Sequence, residues 1–417
     1  MLHRNNFYHF FVFSASLLVA VNLPAFYSVS TKRIGFILLI FSTFSLFFKK
    51  SKIIINRDIL LISLLTSLLL TALLGIAVNQ SSPGFVLHNL GFTFITTLLV
   101  KLNLDNLQFN HPSSKYTAFK FAVAVFSMIS MFLFLDVISY SVSGMIALRV
   151  NMLMSGIPLN STINQVTVLF VALSACVFLT KTKVEMFFFS SLLVFYFIVI
   201  CFSLSRQNIL FILMFLVFLF IYTSRKRYVF IAASGVTICG VLLISLFDKL
   251  RTMAPALSPI LSRLDRTSQQ LDSGSYSRSN QFFDSLNWGI ENPIFGLGIG
   301  GFRETSKLHG YPIHNQVPEA AINQLLSEHG VLFTLVFTFI YCVIIVNFKR
   351  IKVATKLNSL KKLAVSFLFT FPVLFLFNEI HYQASLWVMY LIFSNFLRNS
   401  PLPEPSNAIF VQRKISI

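Results

Sequence analysis

Two arginines lie where apolar sequence is interrupted, and each is placed to bind an anion. The first, Arg206, stands between two long apolar runs in the segment FSLSRQNIL, beside Gln207 and Asn208. A cation at such a position is costly unless it faces a polar cavity or a partner. A planar guanidinium with neighbouring hydroxyl and amide donors suits phosphate oxygens. The segment therefore predicts phosphate binding by Arg206; the alternative is an arginine that extends to lipid headgroups.

The second arginine, Arg278, precedes a stretch with the pattern of an amphipathic helix. Residues 275–280 supply turn and N-cap chemistry, and the apolar positions that follow fit one helix. An arginine at the start of that helix lies beside free backbone N–H groups, which already favour an anion. The alternative is a solvated arginine at a helix end. The apolar positions are Phe282, Phe283, Leu286, Trp288 and Ile290.

His314 and Asn315 lie in a polar stretch that can supply a general base. A histidine gains or loses a proton near neutral pH, so His314 can take the proton of an attacking hydroxyl. Two nearby carboxylates, Glu319 and Glu328, can orient it. A structural histidine is the alternative, and no His, Asp or Glu spacing in this stretch predicts a metal site. The competing histidines are His309 and His329.

A glycine-rich run, PIFGLGIGGF, lies between these candidates. It resembles a nucleotide-binding loop, yet no soluble strand and helix surround it, and no acidic residue follows at the required spacing. We expect instead a tight turn in 296–301, in which the backbone approaches a ligand or the membrane.

The chain that positions these residues has the composition of a polytopic membrane protein. Of its 417 residues, 56% are hydrophobic and 11% are charged, with a mean hydropathy of +0.77. Soluble domains carry about 25% charged residues, so a soluble enzyme, a disordered chain and a secreted disulfide scaffold are excluded. The four cysteines lie in apolar runs and indicate neither a disulfide nor a metal site. The predicted fold class is an all-α polytopic integral membrane protein.

Apolar runs of roughly 20 residues mark about 12 transmembrane helices. Most of the 33 basic residues lie in alternate connections, which predicts cytoplasmic N- and C-termini and explains the net charge of +19 without nucleic acid. Residues 1–247 and 331–397 hold the spans, and 398–417 form a cytoplasmic tail. Residues 248–330 form one long extracytoplasmic loop containing short helices, where we expect the chemistry. The predicted spans are 7–24, 34–48, 58–78, 84–100, 118–139, 162–180, 184–204, 208–223, 228–247, 331–348, 363–380 and 382–397.

The order of these motifs resembles the O-antigen ligase/polymerase family. An arginine between two spans is followed, in a long external loop, by R-x-N, a tryptophan, P-x-F-G-x-G-x-G-x-F, HN and E-x-G leading into a span. The similarity covers about 204–337 and, in topology, the whole chain. Members of this family move glycans from an undecaprenyl-diphosphate carrier on the periplasmic face.

The resemblance implies roles for the candidate residues. Arg206 and Arg278 correspond to family arginines that hold the carrier diphosphate, and His314 corresponds to the catalytic histidine, which works without a metal or another cofactor. It also implies a multi-pass protein of the bacterial inner membrane with the large loop in the periplasm. The implied partners are the lipid-linked oligosaccharide, the bilayer, a flippase and a chain-length regulator. The predicted substrate-binding residues are Gln207, Asn208, Arg303, Asn315, Glu319 and Glu328.

The acceptor separates the two branches of that family. Ligases attach the glycan to lipid A–core, whereas polymerases attach it to another carrier-linked repeat unit. The ligase branch tends to show H-[NSQ], nine residues and then G-x-x-[GTY]; here Leu325 stands at that glycine position and the glycine comes at Gly330, which favours a polymerase. A flippase or other secondary transporter is an alternative, but it should place ionisable groups in mid-membrane and needs no long external loop. An inert membrane scaffold is a further alternative.

Overall fold

The computed structural model describes residues 4–20, 31–48, 69–70, 73, 77, 92–107, 112–139, 159–202, 206–223, 278–311, 320–353, 357–372 and 384–398. Within them the chain forms helices joined by turns, and these residues contain no strand. This confirms the all-helical class. The helices are α1 (Arg4–Ala20), α2 (Thr31–Phe48), α3 (Phe92–Asp105), α4 (Pro112–Ser139), α5 (Leu159–Leu179), α6 (Lys183–Phe202), α7 (Arg206–Thr223), α8 (Arg278–Glu291), α9 (Gly301–Leu308), α10 (Ala321–His329), α11 (Val331–Arg350), α12 (Asn358–Thr370) and α13 (Ala384–Arg398).

Helices occupy most of the predicted membrane spans. Among the residues that the structure describes, two helical stretches are long and apolar enough to cross a membrane: Lys183–Ile200 in α6 and Val331–Arg350. The apolar parts of α1, α2, α5, α7 and α13 are shorter. The predicted span 228–247 lies outside the described residues, as does all of 58–78 except isolated positions. The number of spans and their orientation therefore stay predictions.

Large apolar side chains are exposed on the surface of these helices. Leu335, Val336 and Phe339 of α11 are all exposed, and similar large apolar side chains are exposed on most other helices of the bundle. A contiguous apolar surface of this kind marks contact with a membrane or a partner. In the interior, the rings of Phe13, Phe119 and Phe396 meet edge to face or tilted at centroid distances of 5.0 to 5.7 Å.

Helix α1 is central to the bundle, packing against α2, α4 and α13, while α5 packs against α6 and α7 against α12. Polar side chains also join helices: Asn103 of α3 donates to the hydroxyl of Thr43 at 2.8 Å and accepts from that of Ser42 at 2.6 Å. Such bonds stabilise helix pairs in lipid, because an unpaired amide there is costly. Helix α11 packs against α12 on one side and α10 on the other, and so connects the bundle to the predicted loop.

Candidate functional site

Three helices of the predicted loop pack into one unit. Helix α8 begins at Arg278, as the sequence predicts, and lies along α10. The two backbones approach so closely at Gly289 that a Cβ there would lie 2.3 Å from the carbonyl oxygen of Leu326. We call α8, α9, α10 and the turns around them the loop unit (278–311 and 320–330).

The predicted amphipathic helix is present, but its apolar side chains do not define its buried face. That face holds Gln281, Ser285 and Trp288, together with the close contact at the glycine. Phe283 and Ile290 point outward and are exposed. Small and polar side chains are therefore what allow α8 to approach α10 closely, and most of its apolar residues are left for another surface.

The glycine-rich run forms a turn that bonds to α10. In this glycine turn (292–300), the amide of Leu297 donates to the carbonyl of Ser327 at 2.7 Å, and the amide of Gly298 donates to that of Glu328 at 2.9 Å. The backbone of the turn thus approaches α10, and its approach to a ligand or the membrane stays a prediction. The turn is a structural element of the loop unit.

Gly296 is the position at which this turn demands glycine. Its φ is 61°, in the left-handed region that side chains disfavour. A Cβ would lie 2.5 Å from the carbonyl carbon of Glu328 and 2.6 Å from the amide nitrogens of His329 and Gly330. These neighbours are backbone atoms, so they cannot move aside as a side chain would.

Glu328, predicted to bind substrate or orient His314, is buried inside the loop unit. One carboxylate oxygen accepts the amide N–H of Gly300 at 2.9 Å, and the other accepts the side-chain N–H of Gln324, also at 2.9 Å. A buried carboxylate needs such donors, because an unpaired charge there is costly. The contacts observed for Glu328 hold the glycine turn on α10, and a contact with substrate stays a prediction.

An aromatic cluster packs the C-terminal end of α9 against α8. The ring of Trp288 stacks on those of His309 and Tyr311 at centroid distances of 5.7 and 6.2 Å, and meets Phe302 edge to face at 5.4 Å. The hydroxyl of Tyr311 donates to the carboxylate of Asp284. Tyr311 is therefore fixed to α8.

His314, Asn315 and Glu319 lie outside the described residues. In the sequence, His314 follows Tyr311 by three positions and Glu319 directly precedes Ala320. Both neighbours belong to the loop unit: Tyr311 is held through Asp284, and Ala320 is buried at the start of α10. The general base predicted from the sequence is thus flanked on both sides by residues fixed in the loop unit.

Of the two competing histidines, the structure excludes His329 as a base for substrate. It is fully buried, its ring stacks on that of Phe333 at 5.0 Å, and burial lowers its pKa to about 3. A substrate hydroxyl has no access to it, and so weak a base would accept a proton poorly at neutral pH. His309 is exposed beside Trp288 and stays a competitor.

Burial of His329 should make the protein sensitive to acid. The folded chain holds this histidine neutral down to a pKa of about 3, whereas the unfolded chain protonates it below about 6.5. The unfolded state therefore binds more protons as the pH falls, and between about pH 6.5 and pH 5 His329 should cost about 2 kcal/mol of stability. Replacing His329 by glutamine should flatten the fall of Tm with pH, measured in detergent; an unchanged slope would contradict the assignment.

Helix α7 begins at Arg206, so Arg206 and Gln207 occupy its first turn. Asn208, predicted to bind substrate, is fully buried, and the hydroxyl of Thr167 in α5 donates to its side-chain oxygen at 2.8 Å. The contact observed for Asn208 joins α7 to α5, and a contact with substrate stays a prediction. Asn208 fixes the start of α7, and with it the backbone of Arg206, against α5.

Replacing Thr167 by valine should therefore destabilise the bundle. The change keeps the side-chain volume but removes the donor to a buried amide oxygen, which typically costs about 1 to 3 kcal/mol. Thr167→Ser keeps the hydroxyl and is the matched control. We expect a lower Tm in detergent for the valine variant than for serine. Equal values would mean that the bond between Thr167 and Asn208 contributes nothing to stability.

Arg303 is exposed on the first turn of α9, directly after the glycine turn. It thus belongs to the loop unit, with Arg278 and Glu328, while Arg206 and Asn208 belong to the bundle.

The sequence analysis missed Asp284, Tyr311, Gln324 and Thr167. Only Gln324 had a local signal, since it lies four residues before Glu328 on one helix.

Among the described residues, no three His, Cys, Asp or Glu side chains lie together so as to hold a metal ion.

Residues 189–332 match the family model described as O-antigen ligase. This interval runs from α6 to the second residue of α11, so it contains the loop unit together with Arg206 and His314. No curated protein matches the chain. Over this interval the chain is therefore similar to the O-antigen ligase family.

Proposed function

We propose that this chain is a glycosyltransferase of the bacterial inner membrane, which polymerises surface polysaccharide from undecaprenyl-diphosphate-linked repeat units on the periplasmic face. The observation that carries the proposal is the family match over 189–332. That interval contains all three residues to which we assign chemistry: Arg206, Arg278 and His314.

In the proposed reaction, a hydroxyl of the acceptor sugar attacks the anomeric carbon of the donor glycan. His314 takes the proton of that hydroxyl, the new glycosidic bond forms, and the bond from the anomeric carbon to the carrier diphosphate breaks. Direct displacement inverts the anomeric carbon without a covalent sugar–enzyme intermediate. Undecaprenyl diphosphate leaves with the bonding electrons, so negative charge grows on its phosphate oxygens.

Arg206 and Arg278 would stabilise that growing charge. Guanidinium groups bind phosphate oxygens in a bidentate fashion and keep their charge at any physiological pH. Fixed donors directed at a developing anion are among the largest contributions to catalysis. The position of Arg278 at the start of α8 supports the assignment, because the amide groups of the first helical turn favour an anion at the same place.

The described contacts of the loop unit support a shared position for Arg278 and His314. Arg278 is the first residue of α8, and α8 also binds Tyr311 through Asp284. The sequence then reaches His314 three residues later. Helix α8 thus begins at one candidate and binds a residue three positions before the other. Among the described side chains that we propose to bind the substrate, that of Arg303 on α9 is exposed.

The acceptor is proposed from the sequence. Leu325 occupies the place of the first glycine in the ligase pattern, which favours a second carrier-linked repeat unit over lipid A–core. In the structure Leu325 is buried within α10. A ligase is the second candidate, because the matching family model carries that description. A flippase or other transporter would not need the loop residues proposed here.

The test is the gel profile of surface lipopolysaccharide from a strain that lacks the gene. Core carrying a single repeat unit means that ligation survives and polymerisation is lost, as we expect. Bare core, with polymer accumulating on the lipid carrier, would identify a ligase instead. An unchanged ladder would contradict both assignments and direct attention to capsule synthesis or transport.

A further inference from the structure

The outward face of α8 carries an apolar stripe that no described part of the chain covers. Phe283, Leu286 and Ile290 follow at helical spacing, and Ile294 and Phe295 continue the stripe into the glycine turn. Phe283 and Ile290 are each 59% exposed, Ile294 57% and Phe295 51%. Leu286 is half-buried between them. We call these five residues the apolar stripe.

The apolar stripe is continuous with the exposed apolar surface of α11. The amide of Leu332, in the first turn of α11, donates to the carbonyl of Pro293 at 2.9 Å, so the end of the stripe adjoins the start of that helix. Leu332, Leu335 and Phe339 are 51%, 61% and 69% exposed along α11. Because α11 is long and apolar enough to cross a membrane, its first turn lies where lipid meets water.

We propose that the apolar stripe is a membrane-contact surface, by which α8 lies in the headgroup region of the bilayer. A helix with one apolar side that adjoins a spanning helix is stabilised when that side enters the lipid interface. The polar residues on the flank of the stripe, Asn287 and Glu291, are exposed and would lie at the level of headgroups and water. The occupant of the stripe is therefore lipid, and this assignment does not require the proposed glycosyl transfer.

The stripe runs along the helix axis, so α8 lies flat rather than upright on the membrane. Arg278 precedes Phe283 by five residues, roughly 8 Å along the helix. A flat helix keeps its first residue at about the same depth as the stripe. If the proposed function holds, this places Arg278 level with phosphate groups of lipids and of a lipid-linked substrate.

The test uses the full-length chain in lipid nanodiscs, with the four native cysteines replaced by alanine and a single cysteine introduced for an environment-sensitive nitrobenzoxadiazole label. Labels at Ile290 and Ile294 report on the apolar stripe. Phe339, exposed on α11, is the lipid control, and Glu304, exposed on α9, is the water control. Quenching is measured with lipids carrying nitroxide near the headgroup or deep in the acyl chain, and with aqueous iodide.

For labels at Ile290 and Ile294, we expect the shallow nitroxide lipid to quench the fluorescence at least half as strongly as it quenches the label at Phe339. At both stripe positions, the shallow nitroxide should also quench more than the deep nitroxide does. Iodide should quench the label strongly at Glu304 only. Labels at the stripe that iodide quenches as it does at Glu304 would overturn the proposal, because the stripe would then face water. Labels protected from both quenchers would overturn it too, because protein would then cover the stripe.

Discussion

Replacing Arg278 by alanine should abolish extension of the surface glycan while the protein stays in the membrane. The guanidinium is proposed to neutralise the departing diphosphate, and removal of one such fixed donor typically lowers a rate by about 100- to 1,000-fold. Arg206→Ala and His314→Ala should have effects of the same size, since the first removes the other diphosphate ligand and the second removes the base. The measurement is the lipopolysaccharide ladder of a deletion strain complemented with each variant, with membrane fractions immunoblotted in parallel.

Lysine at either arginine position should restore little activity, because an ammonium group keeps the charge but loses the bidentate geometry. Lys307→Ala is the matched control for removal of a cation from the loop unit. Lys307 is exposed and pairs with Glu304 of the same helix at 2.7 Å, a surface contact worth less than about 1 kcal/mol. Its variant should give a normal ladder. A normal ladder from all three alanine variants would remove the proposed site.

Replacing Gly296 by alanine should unfold the glycine turn and abolish activity with it. The new Cβ would meet three backbone atoms at 2.5 to 2.6 Å, and the φ of 61° would be strained for any side chain. A left-handed residue costs about 1 to 2 kcal/mol, and overpacking adds typically another 1 to 3 kcal/mol. The expected result is faster limited proteolysis within 278–311 and a lower Tm in detergent.

Gly310→Ala distinguishes the cost of backbone strain from the cost of overpacking. Gly310 has a similar φ, 72°, but nothing lies within 4 Å of the place where its Cβ would be. This variant should show only the backbone strain, with a small fall in Tm and near-normal proteolysis. Equal behaviour of the two variants would mean that the turn does not pack against α10 as described.

The sequence predicted those features that depend on local pattern. The start of α8 at Arg278 followed from turn residues ahead of a helical stretch, and the helical class followed from long apolar runs. Both are set by neighbours within a few positions along the chain. The identity of the candidate arginines came from interruptions of apolar sequence and from a family resemblance.

The sequence did not predict which side of α8 faces the protein. In a soluble protein the apolar side of a helix faces the core. Here Gly289 and Ser285 face inward, because close backbone contact with α10 replaces large side chains, while Phe283 and Ile290 face outward. In a membrane protein, lipid is a second apolar environment, so the apolar side of a helix need not face the protein core.

Contacts between distant segments were also beyond the sequence. Tyr311 donates to Asp284, which lies 27 positions away in the sequence. The hydroxyl of Tyr341 donates to the carbonyl of Leu368, also 27 positions away. The sequence also did not show that the hydroxyl of Thr167, 41 positions away, donates to the side-chain oxygen of Asn208. A polar residue type identifies a hydrogen-bonding group without identifying its partner.

The hydrogen bonds that fix the glycine turn to α10 have a consequence for how such an enzyme can change. Two of them join backbone to backbone, and the third joins the amide of Gly300 to Glu328, so the side chains of the intervening residues take no part. Exposed positions on α9, Arg303 among them, can therefore be exchanged while the frame that supports them persists. If the proposed function holds, selection for a new sugar repeat can act on the outer residues of the loop unit without each change requiring a compensating change in its interior.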